Sequence, residues 1–348
     1  MNKSLSDSTQ VIAKPYLIPF VLVGLLFPLW GFANDITNPM VAAFKNILLV
    51  SNFESALVQC AFYGGYCFMA IPAAIFIWRF NYKQAILMGL ALYSIGCLMF
   101  IPAGKMMVFE AFLFSYFVMT CGLSFLETSA NPYILSMGKE ATATQRLNLA
   151  QAFNPLGSLM GMFIAKEFIL ARFNSTSEAG RWELAQNDPG LFTQIQQNDL
   201  SVIIRPYLML GIVVAFVFVI FAITKLPGSR NENVDKLNLK PTLKRLFSNR
   251  LYLEGVVAQA FYVGAQIMCW TFIIHYGVNE LGMTKAEAQT YNMIAMVIFV
   301  SSRFICTYLL KYINPGQLLM GLALGGGVFT LGTIFISGMM GLYSLVAV

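Results

Sequence analysis

Nine long apolar segments, separated by polar connections, constrain this chain more than any other feature. Each holds about 20 or more residues, the length that an α-helix needs to cross the hydrocarbon core of a bilayer. The segments run over 16–38, 55–78, 84–103, 107–136, 147–170, 203–225, 252–276, 289–310 and 316–338. The sequence therefore predicts an all-α, polytopic membrane protein.

Composition excludes the soluble classes. Of the 348 residues, 58% are hydrophobic and only 11% are charged, whereas a soluble domain has about 25% charged residues. The cations lie between the apolar segments and do not form the basic face of a nucleic-acid binder. The six cysteines contain no CxxC pair, and His275 is the single histidine, so we expect no metal site. No nucleophile–base pair occurs at membrane depth, so we do not expect an enzyme.

The distribution of Lys and Arg predicts the orientation of the chain, because loops on the cytoplasmic side are enriched in these residues. With the N-terminus inside, 15 of the 22 cations fall on the cytoplasmic side and seven fall outside. We therefore expect a cytoplasmic N-terminus. Residues 171–202 then form an outer loop.

A short internal repeat predicts two similar halves. Leu87 and Leu319 each begin the hexapeptide LMGLAL, and the two copies are 232 residues apart. They lie six segments apart, near the start of the third and the ninth. Some transporters are built from six-span units repeated in parallel, with the substrate near the bilayer midplane at the interface of the units.

This repeat predicts a boundary in the middle of the chain. A tenth apolar run begins at Gly341 and reaches only to Val348, so we expect the second bundle to be incomplete. The predicted parts are a six-helix bundle over 1–225, a cytoplasmic loop over 226–250 and a partial bundle over 251–348.

Two of the carboxyl groups within the apolar segments are candidates for function, because a charged side chain at membrane depth is costly and by default marks a transport pathway. Glu127 is ten residues before Met137, the end of the fourth segment, or about 15 Å along a helix. Asp35 lies in the first segment. The alternatives are a hydrogen-bonded structural glutamate for Glu127 and an interfacial helix cap for Asp35.

Amide and aromatic side chains recur at helical spacing in three segments, and so lie on single helix faces. Amides can donate to and accept from sugar hydroxyls, and aromatic rings can pack on the apolar face of a pyranose. The alternative is that the amides only join helices together. The candidates for substrate binding are Asn34, Asn38, Gln151, Asn154, Gln259, Tyr262, Gln266 and Trp270, with Asn148 on the same stripe as Gln151 and Asn154.

Several of these segments resemble the L-fucose:proton symporters, in the fucose–galactose–glucose branch of the major facilitator superfamily. The stretches that carry the resemblance are LETSANP at 126–132, RLNLAQAFN at 146–154, AQAFYVGAQ at 258–266 with Cys269-Trp270, and AFY at 61–63. The likeness runs over nearly the whole chain.

The resemblance implies twelve spans, alternating access and proton-coupled uptake of a sugar across a bacterial inner membrane. It assigns the family's membrane glutamate to Glu127 and its sugar-contacting amides to Gln151 and Asn154. The family's fucose permease carries two asparagines and then an aspartate on its first span, where this chain has Asn34, Asp35 and Asn38. The carboxylate has thus moved one turn earlier, and Asp35 joins Glu127 as a candidate for proton coupling.

L-fucose is the first expected substrate. A glucose or galactose symporter of the same family is the alternative, and a non-transporting sugar sensor or an inactive relic of a truncated gene is the rival from another class. We expect the partners to be a monosaccharide, protons and the lipid bilayer. The chain should act as a monomer, without cofactor and without nucleic acid.

Overall fold

The computed structural model describes residues 11–174, 176, 178–228 and 239–348. The secondary structure in these ranges is helical and contains no strand. The chain divides into two units, Met1–Glu232 and Asn233–Val348. The prediction of an all-α membrane protein is confirmed.

The α-helices of the first unit carry most of the predicted site residues. In chain order they are α1 (Leu17–Gly24), α2 (Leu26–Thr37), α3 (Met40–Leu48), α4 (Asn52–Arg79), α5 (Tyr82–Leu98), α6 (Phe100–Met106), α7 (Phe109–Ser136), α8 (Ala143–Gln151), α9 (Asn154–Ile164), α10 (Glu178–Asn187) and α11 (Pro189–Ile223). A capping box starts α4, since the Ser51 hydroxyl accepts from the Glu54 backbone and the Glu54 carboxylate accepts from the Ser51 backbone. Such a box satisfies two N–H groups that a helix start would leave unpaired.

The second unit contains α12 (Leu239–Ser248), α13 (Arg250–Asn279), α14 (Lys285–Leu309), α15 (Pro315–Phe335) and α16 (Met339–Ala347). A second capping box, formed by Thr284 and Glu287, starts α14. A small core of Ile273, Ala295, Leu342 and Leu345 joins α13, α14 and α16.

Eight stretches of the described chain are long and apolar enough to cross a membrane. They are Lys14–Thr37, Asn52–Arg79, Tyr82–Met106, Phe109–Ser136, Pro189–Ile223, Arg250–Asn279, Glu287–Leu309 and Pro315–Phe335. Many large apolar side chains on these helices are exposed, including Phe261 and Val328. A bilayer would cover such a surface, which a soluble protein rarely presents.

The segment predicted as the fifth span is divided, which corrects the expectation of one continuous helix over 147–170. It consists of α8, a turn at Ala152 and Phe153, α9 and a π-helical stretch over Ala165–Ile169. The break follows from Pro155, which has no N–H to donate to the carbonyl group of Gln151, four residues earlier.

The same spacing explains two further breaks. A proline lacks the N–H that would bond to the residue four positions before it, and α1 and α5 each end four residues before one. The pairs are Gly24 with Pro28 and Leu98 with Pro102. These two breaks lie in the first and third segments. Together with the break at Gln151, the break in the first segment means that Asp35 and Asn154 both lie in interrupted segments.

Helices α2 and α9 pack backbone to backbone. A Cβ on Gly157 would collide with the Pro28 carbonyl oxygen, and one on Gly31 would collide with the Asn154 carbonyl oxygen. Glycine therefore permits this close approach. It brings the start of α9 against the helix that carries Asp35.

The core of the first unit is aromatic and fixes the end of α2. The Phe100 and Tyr207 rings stack with centroids 4.1 Å apart. The Tyr207 hydroxyl lies 2.9 Å from the Tyr116 hydroxyl and 3.2 Å from the Thr37 hydroxyl. Because all three hydroxyl groups are buried, each needs such a partner, and the chain of contacts anchors Thr37 beside the predicted site.

Candidate functional site

Asp35 lies near the end of α2 and is buried, with 6% of its surface exposed. Its Oδ1 atom accepts a hydrogen bond of 3.3 Å from Asn38 Nδ2. Its Oδ2 atom is also buried and has no hydrogen-bond partner among the described residues. The side chains of Asn34 and Ser158 also lie close to the carboxyl group. Asp35 is thus an internal carboxyl group with one oxygen held and the other unpaired.

Glu127 lies in the middle of α7 and differs from Asp35 in being exposed at the surface of the unit. Its backbone carbonyl accepts a hydrogen bond of 3.1 Å from Asn131 Nδ2. The Oδ1 atom of Asn131 accepts in turn from Gln151 Nε2, at 3.2 Å. The structure therefore brings Gln151 next to the turn of α7 that carries Glu127.

Two tyrosines on α4 lie between these carboxyl groups. Tyr63 is close enough to Asp35 to interact with it electrostatically, and Tyr66 interacts in the same way with Glu127 and with Tyr63. The tyrosines are three residues apart and share a face of α4. Sequence reasoning used Tyr63 only as part of a family motif and missed Tyr66, although the spacing of Gln59, Tyr63 and Tyr66 marks one helix face.

Asn154 begins α9 and points at α2. Its Nδ2 atom donates a hydrogen bond of 3.2 Å to the carbonyl oxygen of Phe27. Asn148, Gln151 and Asn154 were expected to form one stripe on a continuous helix. The turn at Ala152 and Phe153 interrupts the helix between Gln151 and Asn154, but both turn residues keep right-handed helical dihedrals, so the shared face stays a prediction.

The predicted stripe of the second unit lies on the single helix α13. Gln259 and Tyr262 are exposed there, and Gln266 and Trp270 are partly exposed. The Trp270 ring contacts the Phe299 ring of α14 edge to face, with centroids 5.8 Å apart. Asn292 Nδ2 donates to the Trp270 carbonyl oxygen at 2.7 Å. These contacts hold the end of the stripe against α14.

Arg303 is a charged residue of the second unit that the sequence analysis did not select as a site candidate. It lies within α14, and its guanidinium carbon is 5.0 Å from the centroid of the Phe299 ring. It also interacts with the Tyr262 side chain of the predicted stripe. A guanidinium inside an apolar helix is costly and usually functional. The signal in the sequence was its position four residues after Phe299, inside the eighth apolar segment.

The structure thus brings some of the candidate residues of each unit together. In the first, Asp35, Asn34 and Asn38 lie near Tyr63, and Glu127 lies near Tyr66 and Gln151. In the second, Tyr262 and Trp270 are linked through Phe299 and Arg303. No group of three or more His, Cys, Asp or Glu side chains in the described part of the chain could hold a metal ion. The chemistry available is proton binding by carboxyl groups and hydrogen bonding by amides.

Comparisons with known proteins agree on one type of protein. A family model described as Major Facilitator Superfamily matches residues 23–348. The L-fucose-proton symporter of Haemophilus influenzae is 51% identical over 97% of this chain and 79% of its own length. A glucose/galactose transporter of Brucella abortus is 27% identical, over 96% of this chain and 77% of its own.

A solved structure extends the agreement to three dimensions. The crystal structure of a variant of the Escherichia coli fucose:proton symporter FucP is 33% identical in sequence and has a TM-score of 0.85. The match covers 95% of this chain and 80% of the crystallised one.

Proposed function

Because the chain belongs to the Major Facilitator Superfamily, and within it to the family of the L-fucose-proton symporters, we propose that it carries L-fucose across the membrane together with protons. The observation that carries this proposal in the structure is Glu127, an exposed carboxyl group in the middle of a membrane-length helix beside a chain of amides. A carboxyl group at such a depth is retained where it binds a proton or a substrate.

In this proposal, Glu127 and Asp35 bind the protons. Each carboxyl group can bind one proton and so lose its charge, which removes the cost of moving a charge into a low-dielectric environment. The exposed Glu127 exchanges protons with the transport pathway. Asp35, with its unpaired Oδ2 atom, is the internal proton site.

Sugar binding falls to the amides and aromatic rings. We propose that Asn34, Asn38, Gln151 and Asn154 of the first unit offer donors and acceptors to the hydroxyl groups of the sugar. From the second unit, α13 offers Gln259 and Gln266 for the same purpose, and the Tyr262 and Trp270 rings as apolar surfaces. Binding sites of this kind combine apolar walls with a few polar groups that fix the ligand's orientation.

The setting of the protein is part of the same proposal. The chain lies in the inner membrane of a bacterium with its N-terminus in the cytoplasm, as the excess of cations on that side favours. It works as a monomer that alternates between two open states. Residues 1–225 and 251–348 are its two bundles, and residues 226–250 are a cytoplasmic connection.

Glucose or galactose is the alternative substrate, which the Brucella abortus relative favours. The identity of 51% to the L-fucose-proton symporter against 27% to the glucose/galactose transporter places L-fucose first. A non-transporting sensor is the remaining alternative. It would bind a sugar without moving it.

Counterflow in proteoliposomes separates these possibilities. Purified chain is reconstituted into vesicles loaded with unlabelled sugar, and the entry of labelled L-fucose is followed after dilution. We expect labelled L-fucose to accumulate transiently in vesicles loaded with L-fucose, and not in vesicles loaded with D-glucose or D-galactose. Counterflow with D-glucose or D-galactose, and none with L-fucose, would show that one of those sugars is the substrate instead of L-fucose. Saturable binding of L-fucose without counterflow would overturn the transport proposal.

A further inference from the structure

A chain of two amides connects α4 to Asp35. Gln59 Nε2 donates a hydrogen bond of 3.2 Å to Asn38 Oδ1. Asn38 Nδ2 then donates to Asp35 Oδ1 at 3.3 Å. Because Asn38 has one carbonyl oxygen and one NH₂ group, the contact with Gln59 fixes which of them faces the carboxyl group.

The orientation of Asn38 matters for the charge on Asp35. An ionised carboxylate accepts hydrogen bonds only, so it is stabilised by an NH₂ group and repelled by an amide oxygen. Gln59 donates to the Asn38 oxygen and thereby keeps the Asn38 NH₂ group turned toward Asp35. A hydrogen bond to the charged form favours that form over the protonated one.

The other carboxylate oxygen is left unpaired. Asp35 Oδ2 is buried without a hydrogen-bond partner among the described residues, while only 6% of the residue is exposed. Such groups are rare, because a buried polar atom without a partner costs free energy. The amide chain therefore holds one oxygen and leaves the other available to a proton.

We propose that Gln59 is a positioning residue for proton coupling, which acts on Asp35 through Asn38 and sets the pH at which Asp35 releases its proton. The inference rests on the proposed function, in which Asp35 is an internal proton site. Gln59 itself does not bind the proton. It determines how readily the charged form of Asp35 is held.

Other groups near Asp35 could also affect the pH dependence, and a Gln59 variant does not alter them. From α4, the Tyr63 phenol interacts electrostatically with Asp35. The Ser158 hydroxyl of α9 and the Asn34 amide of α2 also lie near the carboxyl group, and neither of them titrates. Glu127 of α7 interacts with Tyr66, three residues after Tyr63. A variant of Gln59 leaves all of these side chains in place.

The test uses Gln59→Met, which keeps the length of the side chain and removes both polar atoms. Accumulation of L-fucose driven by an imposed pH gradient is measured across a series of pH values. Without the Gln59 donor, Asn38 can turn and Asp35 should hold its proton to higher pH. We expect the pH profile to move up by about 0.5 to 1 unit, since the hydrogen bond that favours the charged form is weakened. Counterflow of L-fucose, which needs no net proton movement, should persist.

Controls separate this inference from a structural effect and from the proposed function. Gln84→Met should leave the pH profile unchanged. Gln84 lies near the start of α5, roughly 30 Å from Gln59 along the axes of α4 and α5. Asn38→Ala should move the profile in the same direction, and adding Gln59→Met to it should cause no further change, because Gln59 reaches Asp35 only through Asn38. Should Gln59→Met fail to fold, Gln59→Leu is used with the same readouts.

The outcomes are distinct. An unchanged pH profile in a folded Gln59 variant, or additive shifts in the double variant, would overturn the inference while the proposed function stands. If the parent chain shows no counterflow of L-fucose, the proposed function itself fails.

Discussion

The two carboxyl groups of the first unit have different surroundings, and this difference suggests different tasks. Asp35 is buried and held through Oδ1, whereas Glu127 is exposed near the middle of its helix. We therefore propose that Glu127 exchanges protons directly and that Asp35 receives its proton from within the protein. The proton-coupling roles of Asp35 and Glu127 both remain predictions from the sequence. The structure adds the different surroundings of the two carboxyl groups.

Replacement of Glu127 by Gln keeps the shape of the side chain and removes its ability to bind and release a proton. We expect Glu127→Gln to abolish accumulation of L-fucose driven by a pH gradient, and to retain counterflow. Uptake in proteoliposomes with and without the gradient measures both. Glu110→Gln, in the first turn of the same helix, is the matched control and should behave as the parent. If Glu127→Gln still concentrates the sugar, the proton site lies elsewhere.

Asn154 is the second residue whose role can be measured directly. Truncation by Asn154→Ala removes a donor and acceptor that we assign to the sugar, so the KM for L-fucose should rise about tenfold, as the loss of one hydrogen bond would produce. Trp270→Ala should also weaken binding, through the loss of an apolar surface. Asn198→Ala, an exposed asparagine of α11, is the control. Unchanged binding in both site variants would refute the assignment of these surfaces to the sugar.

At the scale of the helices, the sequence predicted which segments are helical, but not where they are interrupted. Apolar length was sufficient to identify the eight membrane-length stretches, because a bilayer demands that length. The breaks at Gly24, Leu98 and Gln151 each precede a proline by four residues. Pro72, Pro132 and Pro206 lie within unbroken helices, so a proline alone does not decide where a helix ends.

The site could be predicted only in part for a similar reason. Spacing along one helix reveals a shared face, and this identified Asp35 with Asn38 and the stripe on α13. Contacts between helices, such as Gln59 with Asn38 and Trp270 with Phe299, depend on how helices pack. That packing requires the structure, because no sequence interval relates α4 to α2 or fixes the face of α14.

The packing of α2 on α9 gives a prediction for whole elements. Gly157→Ala places a methyl group against the Pro28 carbonyl oxygen, so the helices must move apart. We expect a destabilisation of about 1–3 kcal/mol, as for other overpacked interiors, and a lower apparent melting temperature in detergent. Gly64→Ala in α4 is the control, because a Cβ there meets open space. Equal melting temperatures for the two variants would argue against this close helix contact.

At the scale of the whole molecule, the family is established and the all-α membrane fold is confirmed. The sequence was sufficient to predict both, because long motifs such as RLNLAQAFN indicated the family and the apolar composition indicated a bilayer. The identity of the sugar and of the coupling ion is the central claim that follows from it. A carboxyl group in a membrane helix can serve a proton or a sodium ion, so this claim needs a direct measurement.

The most direct measurement is the change in external pH when sugar is added to energy-depleted cells that contain the protein, in a weakly buffered, sodium-free medium. Symport of L-fucose with protons predicts an immediate rise in external pH on addition of L-fucose, and none on addition of D-glucose or D-galactose. The rise should disappear in Glu127→Gln. Entry of labelled L-fucose without any change in pH, or entry that requires sodium, would contradict the account.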